Sequence, residues 1–139
     1  MSRESRSMAG VLLVILPTVM FGGASLLSFL VGRAPGYMDN PLRQNLWRAG
    51  HAHAGVYLVL ALVILRYVDE AALSPALKAF VRVSAPLAAI FVPAAFFLSV
   101  LSPAATEPSA LINLAYVGAV ILAAGVVILG VGLIRTPRP

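Results

Sequence analysis

Long runs of apolar residues, separated by short polar segments, dominate the chain. Four runs stand out, at about residues 8–32, 49–68, 80–102 and 109–134, each of 20 residues or more. A helix rising 1.5 Å per residue needs about 20 apolar residues to cross the hydrocarbon core of a bilayer. The alternation of apolar and polar positions that is typical of half-buried strands is absent. The pattern predicts an all-α polytopic membrane protein, with one domain over residues 1–139 that is a bundle of four transmembrane helices.

Composition excludes several other classes of protein. Hydrophobic residues make up 60% of the chain and charged residues 11%, whereas soluble domains carry about 25% charged residues. No cysteine is present, which excludes disulfides and thiolate metal sites. A pI near 10.5 is typical of nucleic-acid-binding proteins, but here the basic residues lie in connections and near the termini instead of forming a stripe. The lipid bilayer is therefore the expected partner, and no nucleic acid is expected.

The same basic residues predict the orientation of the bundle. Lysine and arginine are enriched in the cytoplasmic connections of membrane proteins. If both termini are cytoplasmic, seven of the ten Lys and Arg residues lie inside: Arg3, Arg6, Arg66, Lys78, Arg82, Arg135 and Arg138. The other three, Arg33, Arg43 and Arg48, then lie outside. We therefore expect an integral protein of the cell membrane with both termini in the cytoplasm, and we expect Asp69 and Glu70 in a solvated turn.

Polar side chains within the spans concentrate near one end of the predicted bundle. The segment "RAGHAHAGVYL" places His51 and His53 in the outer turns of the second helix, and Asn113 and Tyr116 lie near the outer end of the fourth. Polar groups inside a membrane are costly and often mark a functional site. The sequence therefore predicts a site in the outer leaflet, beneath the connection 33–48.

The spacing of the two histidines separates them around their helix. At 100° per residue, His51 and His53 point about 200° apart. His51 shares a face with Gly55, whose missing side chain would let a helix or a flat ligand approach closely. His53 shares a face with Tyr57. One histidine can therefore face the bundle while the other faces a neighbouring subunit, the headgroups or the loop above.

Imidazole leaves several kinds of chemistry open at this site. It binds haem iron, zinc, copper and non-haem iron, and it transfers protons. We take His51 and His53 as candidate metal ligands, His51 with Gly55 as a candidate cofactor site, and His51, His53, Asn113 and Tyr116 as candidate catalytic residues. Because no span carries a carboxylate, a metal bound by two histidines needs further ligands from water or another subunit. A haem held by histidine from one helix, or from two subunits, is also open. The structural alternatives are interfacial anchors for the histidines and an interhelical hydrogen bond for the amide.

Small residues on the fourth span indicate close helix packing. Ala115, Ala119 and Ala123 are four residues apart, and Gly118 and Gly125 lie on a neighbouring stripe. Such stripes allow two helix backbones to approach. They predict either a homo-oligomer or a tight seam within one bundle, and we expect a homo-oligomer.

Length, four spans and a motif between the first two helices resemble the hydroxylaminobenzene mutase family. These small integral-membrane enzymes rearrange aryl hydroxylamines to aminophenols, and they carry Asn-Pro shortly before a His and a Gly at the head of the second helix. In "DNPLRQNLWRAGHAHAG" the matching residues are Asn40, Pro41, His51, His53 and Gly55. The gap from Asn-Pro to His is longer here, and two histidines replace one. The "HAH" segment is also similar to histidine-containing helices of haem–copper oxidase subunits.

Together these features predict a small integral-membrane enzyme with a histidine-centred site that acts on a small apolar substrate. The resemblance implies an isomerase that rearranges an N-hydroxylated compound. A transition metal or haem is a candidate cofactor. The alternative is a non-catalytic accessory or scaffold subunit of a larger membrane complex, in which the histidines serve contacts or lipid headgroups.

Overall fold

A computed structural model of the chain describes residues 1–136, which form four long helices and no strand. They are α1 (Arg3–Val31), α2 (Pro41–Tyr67), α3 (Pro75–Leu98) and α4 (Leu114–Ile134), and a 3₁₀ turn at Ala110–Asn113 leads into α4. All four helices, α4 together with its 3₁₀ turn, are long and apolar enough to cross a membrane. The predicted all-α membrane bundle is confirmed. Arg138, one of the seven basic residues expected on the cytoplasmic side, lies outside the described residues.

Two helices begin earlier than their apolar runs do. Helix α2 begins at Pro41 instead of residue 49, because the Asn40 side chain accepts a hydrogen bond from the backbone N–H of Arg43 and Pro41 occupies the first turn. Helix α3 begins at Pro75 instead of residue 80, with the Ser74 side chain as its cap. Asn and Ser caps followed by Pro are strong helix starts. These first turns are polar or mixed, so hydropathy alone places them in the connections.

The helices pack in chain order, α1 on α2, α2 on α3 and α3 on α4. In the apolar part of α3, 39% of the residues are buried within the chain, against 11% in α1. Helix α3 is therefore central and α1 peripheral. The core lies between α2 and α3 and includes Ala61, Leu65, Val81 and Ala85, all fully buried.

Three glycines of α4 form a seam within the bundle, whereas Ala119 and Ala123 of the predicted stripe are exposed. Gly118, Gly125 and Gly132 are buried at intervals of seven residues. A Cβ at Gly118 would lie 2.8 Å from Cγ2 of Val92, and one at Gly132 would lie 2.6 Å from Cγ of Leu73. These glycines bring α4 against α3 and the α2–α3 connection. The seam serves packing inside one chain, and the expected homo-oligomer stays a prediction.

Both ends of the described chain meet the α2–α3 connection at one end of the bundle, which we call the terminal end. The carboxylate of Asp69 accepts hydrogen bonds from the backbone N–H of Ser2 at 2.6 Å and from Arg82 at 2.7 Å. Arg82 also donates to the hydroxyl of Ser5 at 3.0 Å. Burial acts to raise the pKa of Asp69, but the hydrogen bonds from Ser2, Arg82 and Ser5 outweigh it and hold that pKa well below its ordinary value. The expected solvated turn is thus wrong for Asp69, whose side chain is only 16% exposed.

The opposite, loop end is closed by the connections α1–α2 and α3–α4. The side-chain amide of Asn40 donates to the carbonyl oxygens of Pro103 and Ala105, each at 2.9 Å, and so ties the two connections together. The guanidinium of Arg43 lies 4.0 Å from the ring centre of Trp47, whose indole N–H donates to the carbonyl of Phe97 at 3.2 Å. These contacts fix the head of α2, which carries both histidines.

Candidate histidine site

The two histidines lie on opposite faces of α2, as their spacing predicts. The ring of His51 rests on α1, where a Cβ at Gly23 would lie 2.7 Å from its Nε2 atom. The ring of His53 faces α3, with its centre 5.3 Å from that of Phe96 in an edge-on arrangement. The chain therefore has two separate histidine environments.

The first environment is a cavity of about 340 Å³ between α2, α3 and the head of α4, which we call the His53 cavity. Its volume lies at the lower end of the range of small-molecule sites, about 300–1,000 Å³. Apart from the imidazole and two phenol groups, its walls are apolar. The lining residues are His53, Tyr57, Val92, Phe96, Ile112, Ala115, Tyr116 and Ala119.

The hydrogen bond of His53 fixes which ring nitrogen carries the proton. Nδ1 lies 2.7 Å from the carbonyl oxygen of Ala49, one turn earlier on α2. A carbonyl only accepts hydrogen bonds, so Nδ1 is the donor and Nε2 of the neutral ring keeps its lone pair. Nε2 has no hydrogen-bond partner within residues 1–136. The rings of Tyr57 and Phe96 hold the imidazole edge-on, with centres at 5.4 and 5.3 Å. His53 is thus an oriented proton acceptor in an apolar setting.

The two candidate residues near the head of α4 have different positions relative to this cavity. Tyr116 lines it and is 70% exposed. Asn113 lies at the end of the 3₁₀ turn, is exposed, and does not line the cavity, whereas the adjacent Ile112 does. The structure therefore brings His53 and Tyr116 together and leaves Asn113 and His51 outside.

The second environment is a groove of about 510 Å³ between α1 and α2, which we call the His51 groove. Glycine at positions 22 and 23 of α1 lets the imidazole lie directly against that helix. Gly55 lies below, in an adjoining depression of about 410 Å³ that shares His51 and Ala52 with the groove. The groove is lined by Gly23, Leu26, Leu27, Leu30, Tyr37, Arg48, Ala49, His51 and Ala52.

A metal ion does not fit the donor set of a single chain. His51 and His53 face opposite sides of α2, so they cannot share one ion. Within residues 1–136, no group of three or more His, Cys, Asp or Glu side chains could hold a metal. A metal or haem bound to either imidazole would need its remaining ligands from another molecule.

One residue of each site, Tyr37 and Phe96, is not predicted by the sequence. Tyr37 is 3% exposed and closes the His51 groove, and Phe96 packs on His53. The sequence gives Tyr37 only the general signal of an interfacial aromatic residue. Phe96 lies within a uniformly apolar run, where nothing in the sequence distinguishes it from its neighbours.

Comparison with protein families, with curated proteins and with solved structures finds no match for this chain. The mutase-like function therefore stays a prediction that rests on the resemblance of residues 39–55.

Proposed function

We propose that this protein is a small integral-membrane enzyme in which His53 transfers protons for a small, largely aromatic substrate bound in the His53 cavity. The observation that carries the proposal is the 2.7 Å hydrogen bond from Nδ1 to the carbonyl of Ala49. It orients the ring and leaves Nε2 as a base, in the manner of histidines whose second nitrogen is held by a backbone carbonyl. Catalysis of this kind contributes about 10²–10⁴-fold to a rate.

The walls of the cavity support an aromatic substrate. Tyr57 and Phe96 offer ring faces and edges, and Ala115 and Ala119 leave room beside them. The hydroxyl of Tyr116 is the second polar group that could orient the substrate or move a proton. Charged side chains are absent from the lining, so a neutral substrate that partitions into the membrane suits this cavity best.

The concrete reaction is the rearrangement of an aryl hydroxylamine to an aminophenol, as the resemblance implies. This isomerisation breaks the N–O bond, forms a C–O bond to the ring and moves a proton from carbon to nitrogen. It needs neither an oxidant nor a second substrate. Proton transfer is the part of this reaction that His53 and Tyr116 are equipped to assist.

We also propose that both termini of the bundle lie in the cytoplasm. With both termini in the cytoplasm, the His53 cavity lies in the outer leaflet, and its substrate enters from the lipid or the outer surface. The excess of Lys and Arg at the terminal end supports this orientation.

The test is an activity assay on protein purified in mild detergent, with phenylhydroxylamine as substrate and aminophenol measured by chromatography. We expect His53→Ala to lower the rate at least about 100-fold while elution volume and helix content stay unchanged. His51→Ala, on the opposite face of the same helix, is the matched control and should keep most of the activity. No rearrangement by the wild type, or an active His53→Ala variant, would contradict the proposal.

A second measurement separates the enzyme from the alternatives. A visible absorbance spectrum with elemental analysis, on wild type and both histidine variants, is expected to show no haem or stoichiometric metal that a substitution removes. A metal that is lost only in His53→Ala would show that His53 is a metal ligand and would contradict its proposed role in proton transfer. An accessory subunit would instead show full stability in both variants, no turnover, and a larger complex in gently solubilised membranes.

A further inference from the structure

We propose that the His51 groove is a binding site for one anionic phospholipid, independent of the His53 cavity. Three residues with polar side chains line the groove: Arg48, His51 and Tyr37. None of these side chains has a hydrogen-bond or salt-bridge partner within residues 1–136.

These side chains are hydrogen-bond donors that have no acceptor among the described residues. Each can donate a hydrogen bond, Arg48 carries a fixed positive charge, and no aspartate or glutamate lines the groove. Arg48 and His51 are three residues apart on α2, so they lie on one face of the helix. An occupant with a negative charge and several acceptor oxygens matches this set, and a phosphate group has both.

The rest of the groove is shaped for hydrocarbon. Leu26, Leu27 and Leu30 of α1 form one wall, and Leu27 and Leu30 are 59% and 49% exposed. Because these leucines face the bilayer, an occupant enters sideways from the membrane, which favours a resident lipid over a solute from water.

A second depression adjoins the groove along α2 and shares His51 and Ala52 with it. The adjoining depression is lined by His51, Ala52, Gly55, Val56 and Val59. From Arg48 to Val59 the two together follow about 16 Å of helix, at 1.5 Å per residue. A phosphate at Arg48 therefore leaves its acyl chain an apolar path toward the middle of the bilayer.

The test measures binding of phosphatidylglycerol and phosphatidylcholine with identical acyl chains to the detergent-purified protein, by native mass spectrometry. We expect one phosphatidylglycerol to bind the wild type more tightly than phosphatidylcholine. Arg48→Gln should lower the affinity for phosphatidylglycerol about fivefold. This corresponds to about 1 kcal/mol, the contribution of one basic residue at a membrane surface. Phosphatidylcholine binding should change little.

Matched variants distinguish a built site from general attraction. Arg33→Gln removes an exposed charge at the same end of the bundle but outside the groove, and should leave binding unchanged. Leu27→Trp fills the apolar part and should weaken both lipids. Equal affinity for the two lipids, or equal effects of Arg33→Gln and Arg48→Gln, would overturn the proposal. Displacement of phosphatidylglycerol by an equal concentration of oleate would also overturn it, in favour of a free fatty acid.

Discussion

Replacing Gly125 by alanine tests the seam between α3 and α4 most directly. A Cβ at this position would overlap both Oγ and Cβ of Ser84. Ser84 is fully buried, and its hydroxyl donates to the carbonyl of Val81 on its own helix at 2.9 Å, so it has little room to move. Overpacking of this kind costs about 1–3 kcal/mol, and the close overlap places it near the upper end. Alanine recovers at most about 1 kcal/mol of helix propensity, which leaves a net loss of about 2 kcal/mol.

The assay is thermal unfolding in detergent, followed by circular dichroism. For a chain of this length about 1 kcal/mol shifts Tm by roughly 4 °C, so we expect Gly125→Ala to melt about 8 °C lower. Gly130→Ala is the control on the same helix, because a Cβ there meets nothing within 4 Å, and it should melt at or above the wild-type temperature. The double variant with Ser84→Gly should recover most of the loss. Equal melting temperatures for Gly125→Ala and Gly130→Ala would refute the close contact between Gly125 and Ser84.

Two further perturbations address the ends of the bundle. Gly23→Ala places a Cβ 2.7 Å from Nε2 of His51, so it should lower stability by about 1 kcal/mol, whereas Gly22→Ala, with its nearest contact at 3.9 Å, should not. His51→Ala added to Gly23→Ala should restore the melting temperature, and a failure to do so would show that the ring does not rest on α1. Because the pKa of Asp69 is depressed in the folded state, its contribution to stability is present above about pH 4 and is lost as pH falls through the folded pKa. Asp69→Asn should therefore flatten the fall in Tm on acidification, and parallel curves for variant and wild type would contradict this account.

The four helices follow from hydropathy because the bilayer sets both their length and their composition. The residues at which α2 and α3 begin do not follow from hydropathy, since the polar caps Asn40 and Ser74 lie before the apolar runs. The Asn-Pro and Ser-Pro pairs carry that information through local capping chemistry. These cap pairs, and not the ends of the apolar runs, predict the first residues of α2 and α3.

Which side of a helix faces the core, and which helices it contacts, are harder to predict in a membrane than in water. Lipid-facing and core-facing residues of α4 are equally apolar, so no amphipathic pattern marks its buried side. The geometry of one helix separates His51 from His53, because that depends only on residues two apart. It does not predict that His51 meets Gly23 or that His53 meets Phe96, because those pairings depend on how distant helices pack. Glycine is the more useful signal, because Gly118, Gly125 and Gly132 mark the seam of α4 whereas Ala119 and Ala123 are exposed.

The position of α1 has a consequence for biosynthesis. This helix packs mainly against α2, and Ser2 and Ser5 at its start bond to Asp69 and to Arg82 of α3. During synthesis α1 enters the membrane before any of these partners has left the ribosome. The first of the four helices to insert therefore completes its packing only after α3 has been made. A nascent chain stalled before Arg82 leaves α1 held on one side only, and release of α3 completes its attachment.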